Sequence, residues 1–340
     1  MQKSGEIAQW LREEIQAERP PAGGKVPSEY ELARRFAVNK ITANKAVAAL
    51  VSEGLLERGP RGTGTFVKRG CGARGSMLLL LSVGHPYYAL IADGAQREAL
   101  ARGYLTLLAT PPAVRLNEFL RGLDGSVAKG IVTSLYGWID GPPGVPVVHT
   151  DLEFPPEAHP PRMVNADCFS GAELATEEML NRGHRDIVFV GSGAVHSRAA
   201  GFVAAATKAG VADARERVFV HRESPFLRLL DDMFRKFPGL TGIVTGSDDY
   251  AFELSLAGKR RGLAIPGDLA MTGFGNVRVI CELLELTSVE QHPAGIGAFA
   301  MGRAIDLAEG KCQLESFTEL IPCELVRRQS VPDVRALKPR

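Results

Sequence analysis

The sequence predicts an α/β chain, with a small helical head followed by a larger body of two doubly wound parallel-sheet lobes. Three observations lead there. Apolar residues recur at helical spacing through the first fifty positions. A Gly-rich stretch, Arg69-Gly70-Cys71-Gly72-Ala73-Arg74-Gly75-Ser76, then interrupts the pattern with little to bury, as a linker does. From residue 77 to 332, short apolar runs alternate with amphipathic segments, which means parallel strands covered on both faces by helices.

Composition bounds what such a chain can be. Its 340 residues fit two to three domains. Hydrophobic residues are 45%, charged residues 23% and mean hydropathy is −0.01, which excludes wholesale disorder. The longest apolar run, Met77 to Leu81 with Val83 beyond it, is too short to span a bilayer. The polar, acidic first turns predict no leader peptide. Five cysteines (71, 168, 281, 312 and 323), never in CxxC spacing, argue against a disulfide framework or zinc site and fit a reducing cytoplasm. Neither a metal nor a cofactor is expected. The net charge of +1 hides an asymmetry: residues 1–76 hold 13 Lys/Arg against 8 Asp/Glu, the remainder 27 against 31. A basic head on a mildly acidic body is what a polyanion-binding head requires, though scattered surface charge would look similar.

In the head, Ile7, Leu11 and Ile15 mark a first helix, stopped by the Pro-Pro-Ala-Gly-Gly at 20–24. Ser28 with Glu31 three residues on is a capping box opening a second helix, whose buried stripe is Leu32, Ala33 and Phe36. Ala37-Val38 is a tight turn. Asn39 caps a third helix, in which Ala43, Ala46, Val47, Leu50 and Val51 face inward while Lys40, Asn44, Lys45 and Ser52 face out. Gly54 to Arg58 and Thr65-Phe66-Val67 then read as two short strands around the turn Gly59-Pro60-Arg61-Gly62-Thr63-Gly64. A capping box alone, or one amphipathic helix alone, is common. Their joint order is specific: helix, turn, helix and wing.

Residues 5–68 resemble the winged helix-turn-helix of the gluconate-repressor (GntR) superfamily. The resemblance rests on Val26 through Ala33, on Phe36 through Thr42, on Ala46 and Leu50, and on Glu53-Gly54-Leu55-Leu56 with Gly62 through Val67. It implies DNA contact by Ser28, Tyr30, Asn39, Lys40, Thr42, Asn44, Lys45, Arg61 and Gly64. Three positions depart from the family pattern: Tyr30, Asn39-Lys40 and Asn44 stand where Arg, Ser-Arg and Arg are common. Arg forks onto guanine and Asn pairs with adenine, so a less G-centred half-site is expected. Lys40, Lys45 and Arg61 are expected on phosphates.

In the body, apolar runs at 77–83, 104–108, 130–133, 146–150, 187–190, 218–221, 242–245 and 269–274 read as strands, and the proline loop at 155–161 reads as the seam between lobes. Polar residues follow several strands: Asp151, Ser192, Ser247, Asp248 and Asn276. Small ligands bind at those C-terminal strand ends in open α/β sheets. Gly191-Ser192-Gly193 half-matches a dinucleotide fingerprint, but His196 replaces the third glycine and no acidic residue ends the next strand. Walker A, GxSxG and HExxH are absent, the seven histidines are scattered, and Asp248-Asp249 reads more naturally as a helix-capping pair than as catalytic carboxylates.

Residues 77–332 resemble the effector domain of the lactose/galactose-repressor (LacI/GalR) family, similar in turn to periplasmic binding proteins of type I. The resemblance is carried by Gly183-His184-Arg185, by Ser197 to Phe202 around Arg198, by Gly262 to Leu269 and by Leu286-Thr287-Ser288-Val289. It implies lobe 1 at about 77–163 and 291–320, lobe 2 at about 164–290 and 321–332, and a tail at 333–340. It implies ligand contact by Tyr87, Tyr88, Asp151, Arg198, Ser247, Asp248 and Asn276. Ser247 stands where Asn is usual and Gly275-Asn276 where Asp-Asp is usual, so a ligand unlike a common hexose, or one seated differently, is expected. Together the two resemblances imply a cytoplasmic, homodimeric regulator, by default a repressor. It would bind double-stranded operator DNA, sense a sugar or sugar-like molecule and have no membrane partner. A body serving only to dimerise, and a fused NAD-dependent enzyme, are the alternatives.

Overall fold

The computed structural model describes residues 3–17, 19–21, 23–60, 62–68, 74–123, 125–134, 137–152, 161–192, 196–222, 224–311 and 316–337. The head consists of α1 (Lys3–Gln16), α2 (Glu29–Arg35), α3 (Lys40–Ser52) and an antiparallel pair, β1 (Leu56–Arg58) and β2 (Thr65–Val67). Ile7, Leu11, Leu32, Ala43, Val47, Leu50 and Leu56 close into one core. The Ser28 hydroxyl accepts the Glu31 N–H at 3.3 Å, and the Glu31 carboxylate accepts the Ser28 N–H at 2.7 Å. That backbone bond is the main reason the Glu31 carboxyl titrates below its usual range. Asn39 caps α3 by accepting the Thr42 N–H at 2.8 Å. The first wing strand begins at Leu56 rather than Gly54. Gly54 has φ +74 and Leu55 N–H returns to the Leu50 carbonyl, so both residues close α3. Arg61 lies outside the described residues.

The body runs β3 (Ser76–Leu80), α4 (Pro86–Ala101), β4 (Leu105–Ala109), α5 (Leu116–Arg121), β5 (Ile131–Thr133), β6 (Val147–Thr150) and β7 (Arg162–Ala166). It continues through α6 (Cys168–Asn181), β8 (Ile187–Ser192), α7 (His196–Lys208), β9 (Val218–His221), α8 (Phe226–Lys236) and β10 (Gly242–Thr245). It ends with α9 (Asp248–Arg260), β11 (Ala270–Phe274), α10 (Arg278–Leu284), β12 (Thr287–Glu290), α11 (Pro293–Ala308), β13 (Phe317–Ile321) and β14 (Glu324–Val326). The strands form two six-stranded sheets. Lobe 1 has the order β13-β7-β6-β5-β3-β4, lobe 2 the order β14-β12-β11-β10-β8-β9. Every pairing in them is parallel except that of β14 with β12. Parallel order with helices on both faces explains the nearly unbroken apolar strands, such as the buried Met77-Leu78-Leu79-Leu80.

Two sequence expectations need correction. Residues 74–76 are not linker: Arg74 N–H donates to the Gly103 carbonyl, Leu105 N–H donates to the Gly75 carbonyl, and Ser76 opens β3. Nor is the loop at 155–161 the seam, most of which lies outside the described residues. The strand after it, β7, still pairs with β6 and β13 in lobe 1. The chain crosses between lobes after Ala166, after Glu290 and after Ile321. Local proline content cannot reveal this, because long-range pairing decides which sheet a strand joins.

Helix packing sets how these crossings sit. A Cβ on Gly94 of α4 would lie 1.9 Å from the Ala294 carbonyl oxygen, and one on Gly297 of α11 would lie 1.9 Å from that of Ile91. The two helices therefore touch backbone to backbone. In lobe 2, Gly201 of α7 approaches the Phe169 carbonyl of α6 in the same way, with 2.2 Å left for a Cβ. His149, at the end of β6, is buried. Its Nε2 accepts the Ile139 N–H at 3.1 Å, its ring stacks on Trp138 at 4.5 Å, and burial lowers its pKa to about 4.

Gly297→Ala should destabilise the body by about 1–3 kcal/mol through overpacking, overriding the roughly 1 kcal/mol of helix propensity gained. Gly5→Ala in α1, where nothing lies within 4 Å, should be neutral or stabilising; urea unfolding of both variants distinguishes the cases. His149 stays neutral in the fold down to about pH 4, whereas its ordinary value is 6.5. Its contribution is complete above that upper value and is lost as pH falls between the two, because the unfolded chain binds the extra proton. His149→Gln should therefore lessen the fall in unfolding free energy between pH 7 and pH 5.

Candidate functional site

The head presents one face of α3 to solvent. Lys40, Ile41 and Lys45 are exposed along it, and Tyr30 of α2 lies beside them with the Lys40 ammonium 4.2 Å from its ring centroid. Ile41 is 69% exposed, a large apolar side chain turned to solvent. Asn44 is only half-buried, but it is committed: its amide donates to Glu29 at 2.6 Å, and Glu29 also pairs with Arg58 at 3.5 Å. Asn39, Thr42 and Ser28 all take part in capping. At the wing, Gly64 has φ +108, and the Lys25 side chain crosses it so closely that a Cβ would meet its Cε at 2.5 Å.

The body holds a cleft of about 400 Å³, lined from lobe 1 by His85, Tyr87, Tyr88 and Asp151 and from lobe 2 by Ser192, Arg198, Ser247, Asp249, Tyr250 and Phe274. That volume suits a ligand of small-molecule size. The C-terminal ends of both parallel sheets and the first turns of α4, α6, α7 and α9 meet there. Tyr88 donates its hydroxyl to Asp151 at 2.7 Å. Burial, then the neighbouring Asp151 charge, raises the phenols of Tyr87 and Tyr88 well above their usual range, so both remain donors. Asp151 sits at φ +57, a left-handed backbone that Asp tolerates better than most residues.

From lobe 2, the Arg198 guanidinium donates to the Gly246 carbonyl and lies 4.2 Å from the Phe274 ring centroid. Burial alone would lower its pKa, but Cys168, Asp151 and Tyr87 beside it raise it, so it is a fixed cation. Ser247 caps α9 by accepting the Tyr250 N–H at 3.3 Å. At the cleft mouth, His85 Nε2 of lobe 1 lies 3.1 Å from the Asp249 carboxylate of lobe 2. This constellation offers carboxylate, amide, hydroxyl and guanidinium groups around aromatic faces, a set suited to a polar ring compound.

Comparison with known proteins bears on both parts. Residues 3–67 match the family described as bacterial regulatory proteins, gntR family, and residues 176–331 match the periplasmic binding protein-like domain. The chain is a gntR-type head joined to a periplasmic-binding-protein-like body. It is 26% identical over 311 residues to the HTH-type transcriptional repressor CytR of Escherichia coli K12, covering 86% of this chain and 88% of that one. It is likewise 26% identical over 278 residues to the HTH-type transcriptional repressor PurR of Erwinia tasmaniensis, covering 75% and 79%. Among solved structures, the transcriptional regulator CelR–cellobiose complex superposes with a TM-score of 0.65 at 20% identity, over 90% of this chain and all of that one. A LacI-family regulator from Enterococcus faecium with bound ribose gives 0.63 at 19% identity, over 76% and 99%. These establish the two-lobed fold of the body.

Within this fold, the cleft gathers Tyr87, Tyr88, Asp151, Arg198 and Ser247 from the sequence-predicted set. Two expected members lie elsewhere. Asp248 is fully buried behind the cleft, accepting from Ser288 Oγ and the Val277 N–H at 2.6 Å each, and burial raises its carboxyl pKa. A Cβ on Gly273 would lie 2.0 Å from it. Helical rotation explains the error: residue 249, one position on, faces the cleft instead. Asn276 also turns away, its amide donating to Glu290 at 2.9 Å and its carbonyl accepting from Arg328 at 2.8 Å. Its neighbours Gly275 and Val277 line the cleft in its place. Sequence reading missed His85, Asp249, Tyr250 and Gln291. His85 alone carried a local signal, standing before Pro86 where it caps α4 by accepting the Tyr87 N–H.

Asp248→Ala should lower the body's unfolding free energy by roughly 2–4 kcal/mol, because it strands the buried Ser288 hydroxyl and the half-buried Val277 N–H. Asp249→Ala, at the exposed rim, should cost less than about 1 kcal/mol. Thermal unfolding of the two neighbouring variants measures the difference.

Proposed function

We propose that this chain is a ligand-responsive transcriptional repressor. Its winged head binds operator DNA and its body senses a sugar or sugar-like molecule in the cleft. The observation that carries this reading is the cleft itself, in which polar side chains from both lobes converge at the strand ends while a separate head exposes a cationic helix. A ligand held by both lobes binds one inter-lobe angle better than others, and only such unequal affinity can shift the body between states. A C2 dimer on a pseudopalindromic operator fits a head that reaches few bases, and action on operator DNA places the chain in the cytoplasm. The relatives named above are regulators, which favours this reading over a fused enzyme. A body that only dimerises would leave Arg198 and Asp151 in the cleft without a ligand role.

In the head, Lys40 and Lys45 hold phosphates, while Ile41 contacts a thymine methyl. Asn44 reads a base only by leaving Glu29, so its discrimination is weaker than its position on α3 implies.

A thermal-melt screen with pentoses, hexoses, uronic acids, sugar phosphates, disaccharides and nucleosides tests the sensing half. A ligand at about 100 times its dissociation constant stabilises the body by roughly 2.7 kcal/mol. Arg198→Ala and Asp151→Ala should abolish that shift, and silence from every compound class would return the body to a dimerisation role. The DNA half is tested on an operator selected from random sequence. There Lys45→Ala should weaken binding alike on all sequences and make the log–log salt dependence shallower by about 0.9, the slope that one neutralised phosphate supplies. A sequence-selective loss would overturn its assignment to phosphate.

A further inference from the structure

The three crossings between lobes are stitched together by side chains that the sensing role does not use. Glu290 ends β12, where the chain leaves lobe 2. One oxygen of its carboxylate accepts the Asn276 amide at 2.9 Å, and the other accepts the His292 N–H at 2.8 Å. The Asn276 carbonyl accepts from the Arg328 guanidinium at 2.8 Å. Arg328, just past β14, also donates to the Leu286 carbonyl at 2.7 Å, and its N–H donates to the Thr287 hydroxyl at 2.8 Å. His292 in turn lies 3.6 Å from Glu324, the first residue of β14. The second and third crossings thus face each other at His292 and Glu324, and Asn276, just past β11, ties Glu290 to Arg328.

Between Glu290 and His292 sits Gln291, buried and facing the cleft. Its amide lies 3.5 Å from the Tyr87 hydroxyl and 3.6 Å from the Cys168 sulfur, and Cys168 begins α6 at the first crossing. Both Asn276 (φ +50) and His292 (φ +53) hold left-handed backbone. Such conformations persist only where the surroundings over-determine them. Here the two hydrogen bonds to Glu290 tie both residues to it, and the Arg328 guanidinium adds a further one to Asn276.

We infer that Asn276, Glu290 and Arg328 form a positioning bracket, which fixes the second crossing so that Gln291 presents its amide to the cleft and ties cleft contacts to the angle between lobes. The bracket deepens the sensing role of the same cleft but rests on groups that touch no ligand. It makes Asn276 a positioning residue. Polarity at the Asn276–Glu290 contact then matters in sign: one side must donate and the other accept.

An exchange of partners tests this without an effector or DNA. Asn276→Asp sets two carboxylates against each other while keeping a side chain that tolerates the left-handed backbone. Adding Glu290→Gln restores a donor opposite the new acceptor and still leaves an oxygen for the His292 N–H. Hydrogen exchange is followed on the full chain at the amides of residues 290–292, with β10 amides as the control, and small-angle scattering reports lobe separation. In Asn276→Asp, exchange at His292 should rise about tenfold or more, as loss of a charged hydrogen bond implies, and the radius of gyration should increase. The β10 amides should stay at wild-type rates, and the double variant should restore both readouts. Unchanged exchange in Asn276→Asp, equal acceleration in β10, or failure of the double variant to restore would each overturn the bracket. None of these results depends on the effector screen, so a screen without hits leaves this test intact, and loss of the bracket leaves the repressor reading standing.

Discussion

The close backbone contact of α4 with α11, and of α7 with α6, is the constraint on which the rest of the body depends. Gly94, Gly297 and Gly201 leave no space for a Cβ. In each lobe, the helix after the first strand is pressed against the helix that has just arrived from the other lobe. This contact orients the first turn of α4, with Tyr87 and Tyr88, and the first turn of α7, with Arg198. Those side chains reach one cleft because the helices beneath them cannot move apart without losing packing on both sides.

A second consequence concerns the polar residues at the strand ends. Each could point into the cleft or back into the sheet, and backbone conformation decides which. Asp151 in left-handed backbone turns into the cleft and receives the Tyr88 hydroxyl. Asn276, also left-handed, turns the other way and holds Glu290 and Arg328. Asp248, at the first turn of α9, is drawn under β11 because Gly273 leaves room for its carboxylate. The cleft and the frame behind it therefore share the same residue types, separated only by direction.

Electrostatics follow the same division. The Arg198 charge is anchored by a backbone carbonyl and an aromatic face, and it keeps its proton against burial because Cys168, Asp151 and Tyr87 surround it. The head works by the opposite rule. Lys40 and Lys45 stay exposed and hydrated, with no burial to offset.

The capping box at Ser28 and Glu31, the Asn39 cap, the buried stripe of α3 and the alternation of apolar strands with helices are local patterns, and the sequence by itself determined them. Hydrogen bonds between neighbouring residues and a period of 3.6 or 2 leave their mark within a few positions. Asp151 and Ser247 were legible as cleft residues because they immediately follow a strand, whereas Tyr87, Tyr88 and Arg198 were named through the resemblance to the LacI/GalR effector domain. Only the tertiary structure decided that β7 belongs to lobe 1, that residue 249 and not 248 faces the cleft, and that Asn276 serves Glu290. It also decided that Asn44 is held by Glu29 and that Gln291 reaches Tyr87. Each of these depends on a partner distant in sequence or on a rotation of one residue about a helix axis. No local pattern encodes either, because the free energy that selects them comes from packing and pairing across the fold.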